Sequence, residues 1–164
     1  MKKQILLVAL SLCVSGVFAQ DANKVKSEGD EALKAKNETV AFTKYDQYLK
    51  TNNNQDSVTV FNCGLSGLNS KNYAGAVKYF DISIKNNYQL PMSYAGKAQA
   101  LRNMGKTAEM LTTIEAGLKV VPGDNNLEKL YAIHYLKEGQ KFQQAGDQAK
   151  AEEAYKSILS ITDK

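Results

Sequence analysis

Apolar residues along most of the chain recur at intervals of three and four positions, with polar residues between them. This spacing places the apolar side chains on one face of an α-helix. The pattern is clearest in residues 132–164, where the apolar or small residues at helical spacing are Tyr135, Gly139, Phe142, Ala151 and Tyr155. Gly146 and Asp147 separate the two helical segments and favour a turn. The stretch therefore predicts two amphipathic helices joined by a short loop.

Three further copies of this pattern precede it, at about 22–55, 57–90 and 91–124. In the first helix of each copy a small residue recurs, namely Gly29, Gly64, Ala98 and Gly139. In the second helix a large ring or aliphatic side chain recurs, namely Tyr45, Phe80, Ile114 and Tyr155. A small residue lets two helix backbones approach closely. Because one pair of helices cannot bury both of its apolar faces, we expect the copies to stack on one another.

The order of these positions resembles that of the tetratricopeptide repeat (TPR) family. In residues 57–90 the local signature is plainest, with Tyr73, Ala76 and Phe80 at spacings of three and four on the second helix. The resemblance implies an all-α fold, a right-handed α-solenoid of about four helix-turn-helix hairpins. It covers nearly all of residues 20–164, which we interpret as one TPR domain.

Seven extra residues, 125–131, separate the third copy from the fourth. Asn125 followed by Glu128 resembles a capping box, the arrangement that starts a helix. Leu127, Leu130 and Tyr131 continue at helical spacing. We expect this segment to lengthen the first helix of the last repeat by about two turns.

The start of the chain has a different pattern. Residues 1–19 begin with two lysines, continue with an apolar run and end in small residues before a cleavage point after Ala19. This is typical of a secretory signal peptide, so we expect an exported protein of the bacterial periplasm or cell envelope. The apolar run is shorter than the roughly 20 residues that a membrane-spanning helix needs. Lipid attachment at Cys13 is the alternative, although Leu12 is large where lipoprotein signals carry a small residue.

Composition favours a folded protein with no strongly charged partner. Hydrophobic residues make up 43% of the chain and charged residues 23%, as in ordinary globular proteins. Removal of residues 1–19 takes away two of the 21 basic residues and none of the 17 acidic ones, which leaves the remainder nearly neutral. Its lysines alternate with acids instead of clustering, so neither nucleic acid nor an anionic membrane surface is predicted as a partner.

Side chains that could carry catalysis or bind a metal are few. His134 is the one histidine and lies on an apolar helical stripe, where a packed residue is expected. Cys63 would be the one cysteine left after cleavage, so neither an internal disulfide nor a multi-cysteine metal site can form. The sequence also lacks a glycine-rich phosphate loop. We therefore predict no enzymatic activity, no cofactor and no metal.

The resemblance implies that the first helices of successive repeats line a concave groove, which holds a segment of a protein or peptide partner. The residues predicted to contact that partner are Lys26, Val58, Phe61, Asn62, Leu65, Leu68, Gln99, Arg102, Asn103 and Gln140. Other residues in the same columns are Asp30, Lys34, Asn69, Gln143 and Gln144.

The helix predicted at 57–70 carries two apolar stripes. The first fits the core between helices and consists of Val60, Cys63, Gly64 and Gly67. The second faces the groove column and consists of Val58, Phe61, Leu65 and Leu68. This second stripe either holds an apolar side chain of a partner or packs on the flanking first helices. The spacing alone leaves both interpretations open.

One TPR subtype grips a C-terminal carboxylate with lysine, asparagine and arginine side chains from three repeats. Lys26 and Asn62 match that pattern, but Asp30, Met92 and Gly96 depart from it. An acid at Asp30 would repel a carboxylate. This chain is therefore not predicted to bind its partner in that way.

The function that best fits the sequence is a non-enzymatic scaffold of the cell envelope that binds a peptide or protein segment in the groove. The alternative is a structural subunit that self-associates through its C-terminal end. No separate capping helix follows the last repeat, and Leu159 and Ile161 could form an exposed apolar edge there.

Overall fold

Helices account for all the regular secondary structure of the part of the chain that the structure describes. The computed structural model describes residues 21–162, in which eight α-helices and no strand are present. The predicted signal peptide, Cys13 within it, lies outside these residues. The helices are α1 (21–34), α2 (Glu38–Thr51), α3 (Ser57–Asn69), α4 (Tyr73–Lys85), α5 (Leu90–Asn103), α6 (Thr107–Val120), α7 (Asn125–Gln144) and α8 (Gln148–Thr162).

Consecutive helices pair as four hairpins, α1–α2, α3–α4, α5–α6 and α7–α8. The hairpins stack in chain order, because α2 packs on α3 and α4 packs on α5. The first helices also lie side by side, with α3 against α5 and α5 against α7. The predicted fold class, an α-solenoid of helical hairpins, is confirmed.

Each hairpin turn contains one residue with a left-handed backbone. These residues are Lys36 (φ 57°), Lys71 (φ 65°), Gly105 (φ 73°) and Gly146 (φ 78°). In the first two hairpins the asparagine that follows the turn caps the second helix. Asn37 accepts from the Val40 N–H at 3.3 Å, and Asn72 accepts from the Gly75 N–H at 3.1 Å. These bonds satisfy backbone donors that the first turn of a helix leaves without a partner.

The large side chain of each second helix rests on the small residue of the first helix. A methyl group on Gly29 would lie 2.8 Å from the Tyr45 ring, and one on Gly64 would lie 3.0 Å from the Phe80 ring. The same contact joins Gly139 to Tyr155. In the third hairpin Ala98 and Ile114 belong to one buried cluster. The small residues therefore permit close approach between paired helices, as their spacing predicted.

Phe80 makes a second contact of this kind across the boundary between hairpins. Its ring is fully buried and lies against Gly64 of its own hairpin and Gly96 of the next. A methyl group on Gly96 would overlap the ring. Phe80 therefore packs the two helices of the second hairpin together and also packs the second hairpin against the third.

A polar cluster links the first hairpin to the second. The Tyr79 hydroxyl donates to Oδ1 of Asp46 at 2.5 Å, and the ammonium groups of Lys50 and Lys78 lie 2.6 and 3.3 Å from the same carboxylate. Burial by itself raises the pKa of Asp46, but the hydrogen bonds from Lys50, Tyr79 and Lys78 outweigh it and hold the pKa below its usual range. Asp46 is therefore charged at neutral pH.

The last hairpin differs from the others in the length of its first helix. Helix α7 has 20 residues, whereas α3 has 13 and α5 has 14. Asp124, not Asn125, caps it, accepting from the N–H groups of Asn126 and Leu127 at 3.1 and 3.0 Å. The capping prediction was therefore wrong by one residue, because the residue that caps must itself lie outside the helix and Asn125 is already helical.

A Gly96→Ala substitution tests the contact with Phe80. Alanine is favoured over glycine in a helix by about 1 kcal/mol, so without the ring the variant would gain stability. We expect instead a net loss of about 1–3 kcal/mol, because the added methyl group overpacks the core. Urea denaturation measures the change.

Gln99→Ala is the matched control on the same helix, since Gln99 is exposed. It should shift the unfolding free energy by no more than about 0.5 kcal/mol. If the Gly96→Ala variant were as stable as the wild type, Phe80 would not pack tightly against Gly96.

An Asp46→Asn substitution tests the polar cluster. A carboxyl with a lowered pKa stabilises the fold at pH values above its unfolded pKa of about 4, and this stability is lost as the pH falls through the lower, folded value. We expect a loss of about 1–3 kcal/mol at pH 7 and a smaller difference from wild type as the pH falls below about 4. Urea titrations from neutral to acidic pH measure both. The exposed Glu153→Gln change should shift the unfolding free energy at pH 7 by no more than about 0.5 kcal/mol.

Candidate partner-binding groove

The surface predicted to bind a partner is formed by the outward side of the first helices. We call it the groove face and define it by the predicted columns of α1, α3, α5 and α7. Because α3 contacts α5 and α5 contacts α7, equivalent positions on these helices lie in rows that cross the face. Any segment bound there therefore meets one helix after another.

The predicted groove residues fall into three groups by exposure. The exposed ones are Val58, Gln99, Arg102, Asn103 and Gln140. The half-buried ones are Lys26, Asn62, Leu65 and Leu68. Phe61 is buried, with 7% of its surface exposed. Every predicted groove residue except Phe61 is therefore at least partly exposed to solvent.

Phe61 belongs to the core and not to the accessible face. Its ring meets those of Phe80 and Tyr88 edge to face, with centroids 6.1 and 5.9 Å apart. It shares a buried cluster with Ala76 and Ala100, against which Leu65 and Leu68 are partly packed. Little of the Phe61 ring is therefore offered to a partner, because Ala100 of α5 and Tyr88 of the α4–α5 loop pack against it, and partner contact at Phe61 stays a prediction. Of the two interpretations of the second stripe, packing on flanking helices applies at this position.

Three exposed apolar side chains form a row across the groove face, which we call the apolar row. Val58, Met92 and Ile133 each lie six residues before the small residue of their helix, Gly64, Ala98 and Gly139 respectively. They expose 50%, 47% and 41% of their surface. At the equivalent position α1 carries the polar Asn23, so the row ends at α3.

Only one member of this row, Val58, was among the residues chosen from the sequence. Met92 and Ile133 were missed although a signal was present, since the same six-residue offset identifies them. Leu136, also exposed, lies three residues after Ile133 and widens the row on α7. The last repeat therefore contributes more apolar surface to the face than its glutamines suggested.

Polar side chains lie further along the same helices. Gln99 and Gln140 each follow the apolar row by seven residues, and Arg102 stands in the last turn of α5. Between residues 21 and 162, none of the three has a side-chain hydrogen bond or an ion pair. They are therefore available to a partner.

Four polar residues of the predicted columns, Lys26, Asp30, Asn69 and Gln143, already have partners within the chain. Asp30 accepts from the Tyr45 hydroxyl at 2.9 Å and lies 3.5 Å from the Lys26 ammonium. Asn69 donates to Glu38 at 3.1 Å, and Gln143 accepts from the Tyr155 hydroxyl at 3.1 Å. These residues stabilise the face and are poorer candidates for contact with a partner.

The two residues with the most reactive side chains, Cys63 and His134, pack against other parts of the chain. Cys63 is fully buried, and its burial raises the pKa of the thiol well above the usual range. His134 is half-buried with its ring edge against Tyr135, the centroids being 4.9 Å apart. Within the described range, no group of three His, Cys, Asp or Glu residues is close enough to hold a metal ion.

None of the helices between residues 21 and 162 combines the length and the apolar content needed to cross a membrane.

Comparison with known proteins identifies the repeat. No family model matches the chain, and no curated protein does. A solved structure does match, the 1.50 Å crystal structure of a TPR repeats protein from Bacteroides fragilis NCTC 9343. The two chains are 55% identical, with a TM-score of 0.80. The present chain is a TPR protein.

The match covers 86% of this TPR protein and 63% of the Bacteroides fragilis chain. This chain therefore spans less than two thirds of the length of its relative. The TPR fold typically serves as a non-catalytic scaffold for protein interactions. The all-helical architecture and the packed columns of small and aromatic residues agree with the TPR fold.

The different burial of Phe61 and Val58 predicts different effects of truncation in this TPR protein. Phe61→Ala removes a buried ring and leaves a cavity, so we expect a loss of about 3–5 kcal/mol in unfolding free energy. Val58→Ala removes exposed methyl groups and should cost about 0.5 kcal/mol or less. Urea denaturation of the two variants compares them. Equal losses would mean that Phe61 is not part of the core.

Proposed function

We propose that the protein is a non-enzymatic scaffold of the bacterial cell envelope, whose groove face binds an extended segment of a partner protein. The observation that carries this proposal is the apolar row, in which three exposed apolar side chains occupy equivalent positions on adjacent helices. Scattered exposed hydrophobics are ordinary, but their recurrence at equivalent positions of adjacent helices favours an interaction site.

The spacing of the row favours one kind of partner segment. Packed helices lie about 8–10 Å apart, so successive members of the row are separated by a similar distance. A polyproline II segment rises about 3.1 Å per residue and so advances about 9 Å in three residues. A bound segment that crosses α3, α5 and α7 would therefore place an apolar side chain over the row at every third residue.

The polar side chains beyond the row suit the backbone of such a segment. A polyproline II chain has no internal hydrogen bonds, so its N–H and C=O groups need partners when it binds. Gln99 and Gln140 can donate and accept, and Arg102 can pair with a carboxylate at one edge. We expect the partner segment to be apolar at every third position and acidic or neutral between.

Export to the periplasm or cell envelope is part of the proposal. It is supported by the signal-peptide pattern of residues 1–19. The absence of a catalytic role is supported by the buried Cys63 and the packed His134. Partners are accordingly expected among other exported proteins.

The proposal is tested by replacing all three residues of the apolar row with glutamine, which keeps the helical propensity of the positions high. Wild type and variant are immobilised and incubated with envelope extract, and bound proteins are quantified by mass spectrometry. We expect specific partners to fall about tenfold or more with the variant, since hot-spot truncations cost about 2 kcal/mol or more.

A matched control replaces two exposed apolar residues of the second helices, Val40 of α2 and Val120 of α6, with glutamine. This variant should recover the same partners as the wild type. Equal recovery by all three proteins would contradict binding at the row. Light scattering on the same samples tests self-association, the competing function, which requires a mass that rises with concentration.

A second observation bears on that competing function. Ile161 is half-buried and packs against the cluster that contains Leu127 and Tyr131, so less of it is exposed than the sequence suggested. Leu159 is exposed. The apolar edge available at the end of α8 is therefore small, which favours the groove over the C-terminal end as the main interaction surface.

A further inference from the structure

A concave site that includes none of the predicted groove residues lies between the third and fourth hairpins. This cleft has a volume of about 800 Å³ and is lined by the end of α6, the first half of α7 and the last turn of α8. Small-molecule sites have volumes of roughly 300–1,000 Å³. The cleft is therefore large enough for a ligand of that class.

The extra length of α7 accounts for the cleft. Helices α6 and α7 pack less extensively than the other consecutive pairs of helices from α2 to α8. Leu127 and Tyr131, both in the inserted segment, join the core of Met110 and Ile114. This contact holds the first half of α7 against the third hairpin. The space between α7 and the end of α6 is not filled by side chains and forms the cleft.

The cleft has an apolar wall. Its main apolar side chains are Leu118, Tyr131 and Ile161. The Tyr131 ring is buried and packs at a tilt on Tyr135, with centroids 4.6 Å apart. Burial, with a smaller contribution from the Tyr135 hydroxyl, raises the pKa of Tyr131 to about 12, so the phenol keeps its proton.

The charges around the cleft are predominantly negative. Glu115, Glu128 and Lys119 line it, and within the described part of the chain none of the three forms an ion pair. The carboxyl-terminal turns of α6 and α8 add partial negative charge. The amino end of α7 has the opposite sign, but the Asp124 carboxylate caps it. Two carboxylates and one ammonium group thus line a cleft that also has an apolar wall.

We propose that this cleft binds a small organic cation, an ammonium group carried on an apolar body. The ammonium group pairs with Glu115 and Glu128, and the body lies against Leu118, Tyr131 and Ile161. A tyrosine ring also attracts a cation placed over its face. The site shares no residue with the apolar row.

The test uses the purified ¹⁵N-labelled protein and two probes of similar shape and opposite charge, 2-phenylethylammonium and 3-phenylpropionate. Each is titrated while amide chemical shifts are recorded. We expect saturable shifts for the ammonium probe, confined to residues around 115–131 and 160–161, and no saturation for the carboxylate. This comparison needs no variant and so does not depend on any variant folding.

A double substitution, Glu115→Gln with Glu128→Gln, then removes both charges while keeping the shape of the side chains. The ammonium probe should bind about tenfold more weakly, as expected for the loss of charge-assisted hydrogen bonds. The control is Glu109→Gln with Glu153→Gln, which removes two exposed carboxylates that do not line the cleft. It should bind the probe as the wild type does.

Three results would overturn the proposal. Equal binding of the two probes would show that charge does not select the ligand. Unchanged affinity in the Glu115 and Glu128 variant would separate the carboxylates from binding. Shifts located on the groove face instead of the cleft would assign the probe to a different surface.

Discussion

The structure depends on the contact between one large ring and two glycines. Phe80 lies against Gly64 within its hairpin and against Gly96 in the next, so the same side chain closes one unit and joins it to its neighbour. Glycine in a helix costs about 1 kcal/mol relative to alanine, and burial of a whole aromatic ring offsets that cost. Tyr45 on Gly29 and Tyr155 on Gly139 repeat the intrahairpin half of the arrangement. Stacking and hairpin closure are therefore coupled, as a repeat architecture requires.

The same packing decides what the first helices present to solvent. With α5 seated close to α3, the ring of Phe61 is covered, whereas Val58 one turn earlier stays open. The polar cluster of Asp46, Tyr79 and two lysines adds a second link between the first two hairpins. The first helices therefore lie side by side, with α3 against α5 and α5 against α7.

The fourth hairpin breaks the regularity of the others, with a local consequence. Seven inserted residues lengthen α7, and their apolar members anchor it to the third hairpin. The remaining gap becomes the cleft beside α6 and α8. The chain therefore carries two surfaces of different chemistry, an exposed face on the first helices with apolar and amide side chains and a cleft between the last two hairpins that carries two carboxylates.

The sequence alone determined the helical periodicity, the hairpin turns and the small and large columns that pack together, because these are local properties with a fixed repeat. It also contained the recurrence of an apolar residue six positions before Gly64, Ala98 and Gly139. Tertiary structure alone decided which members of an apolar stripe are covered. Val58 and Phe61 lie three residues apart on one helix, but only Phe61 meets Phe80 and Tyr88. The physical reason is that exposure depends on the position of neighbouring helices, which periodicity within one helix does not specify.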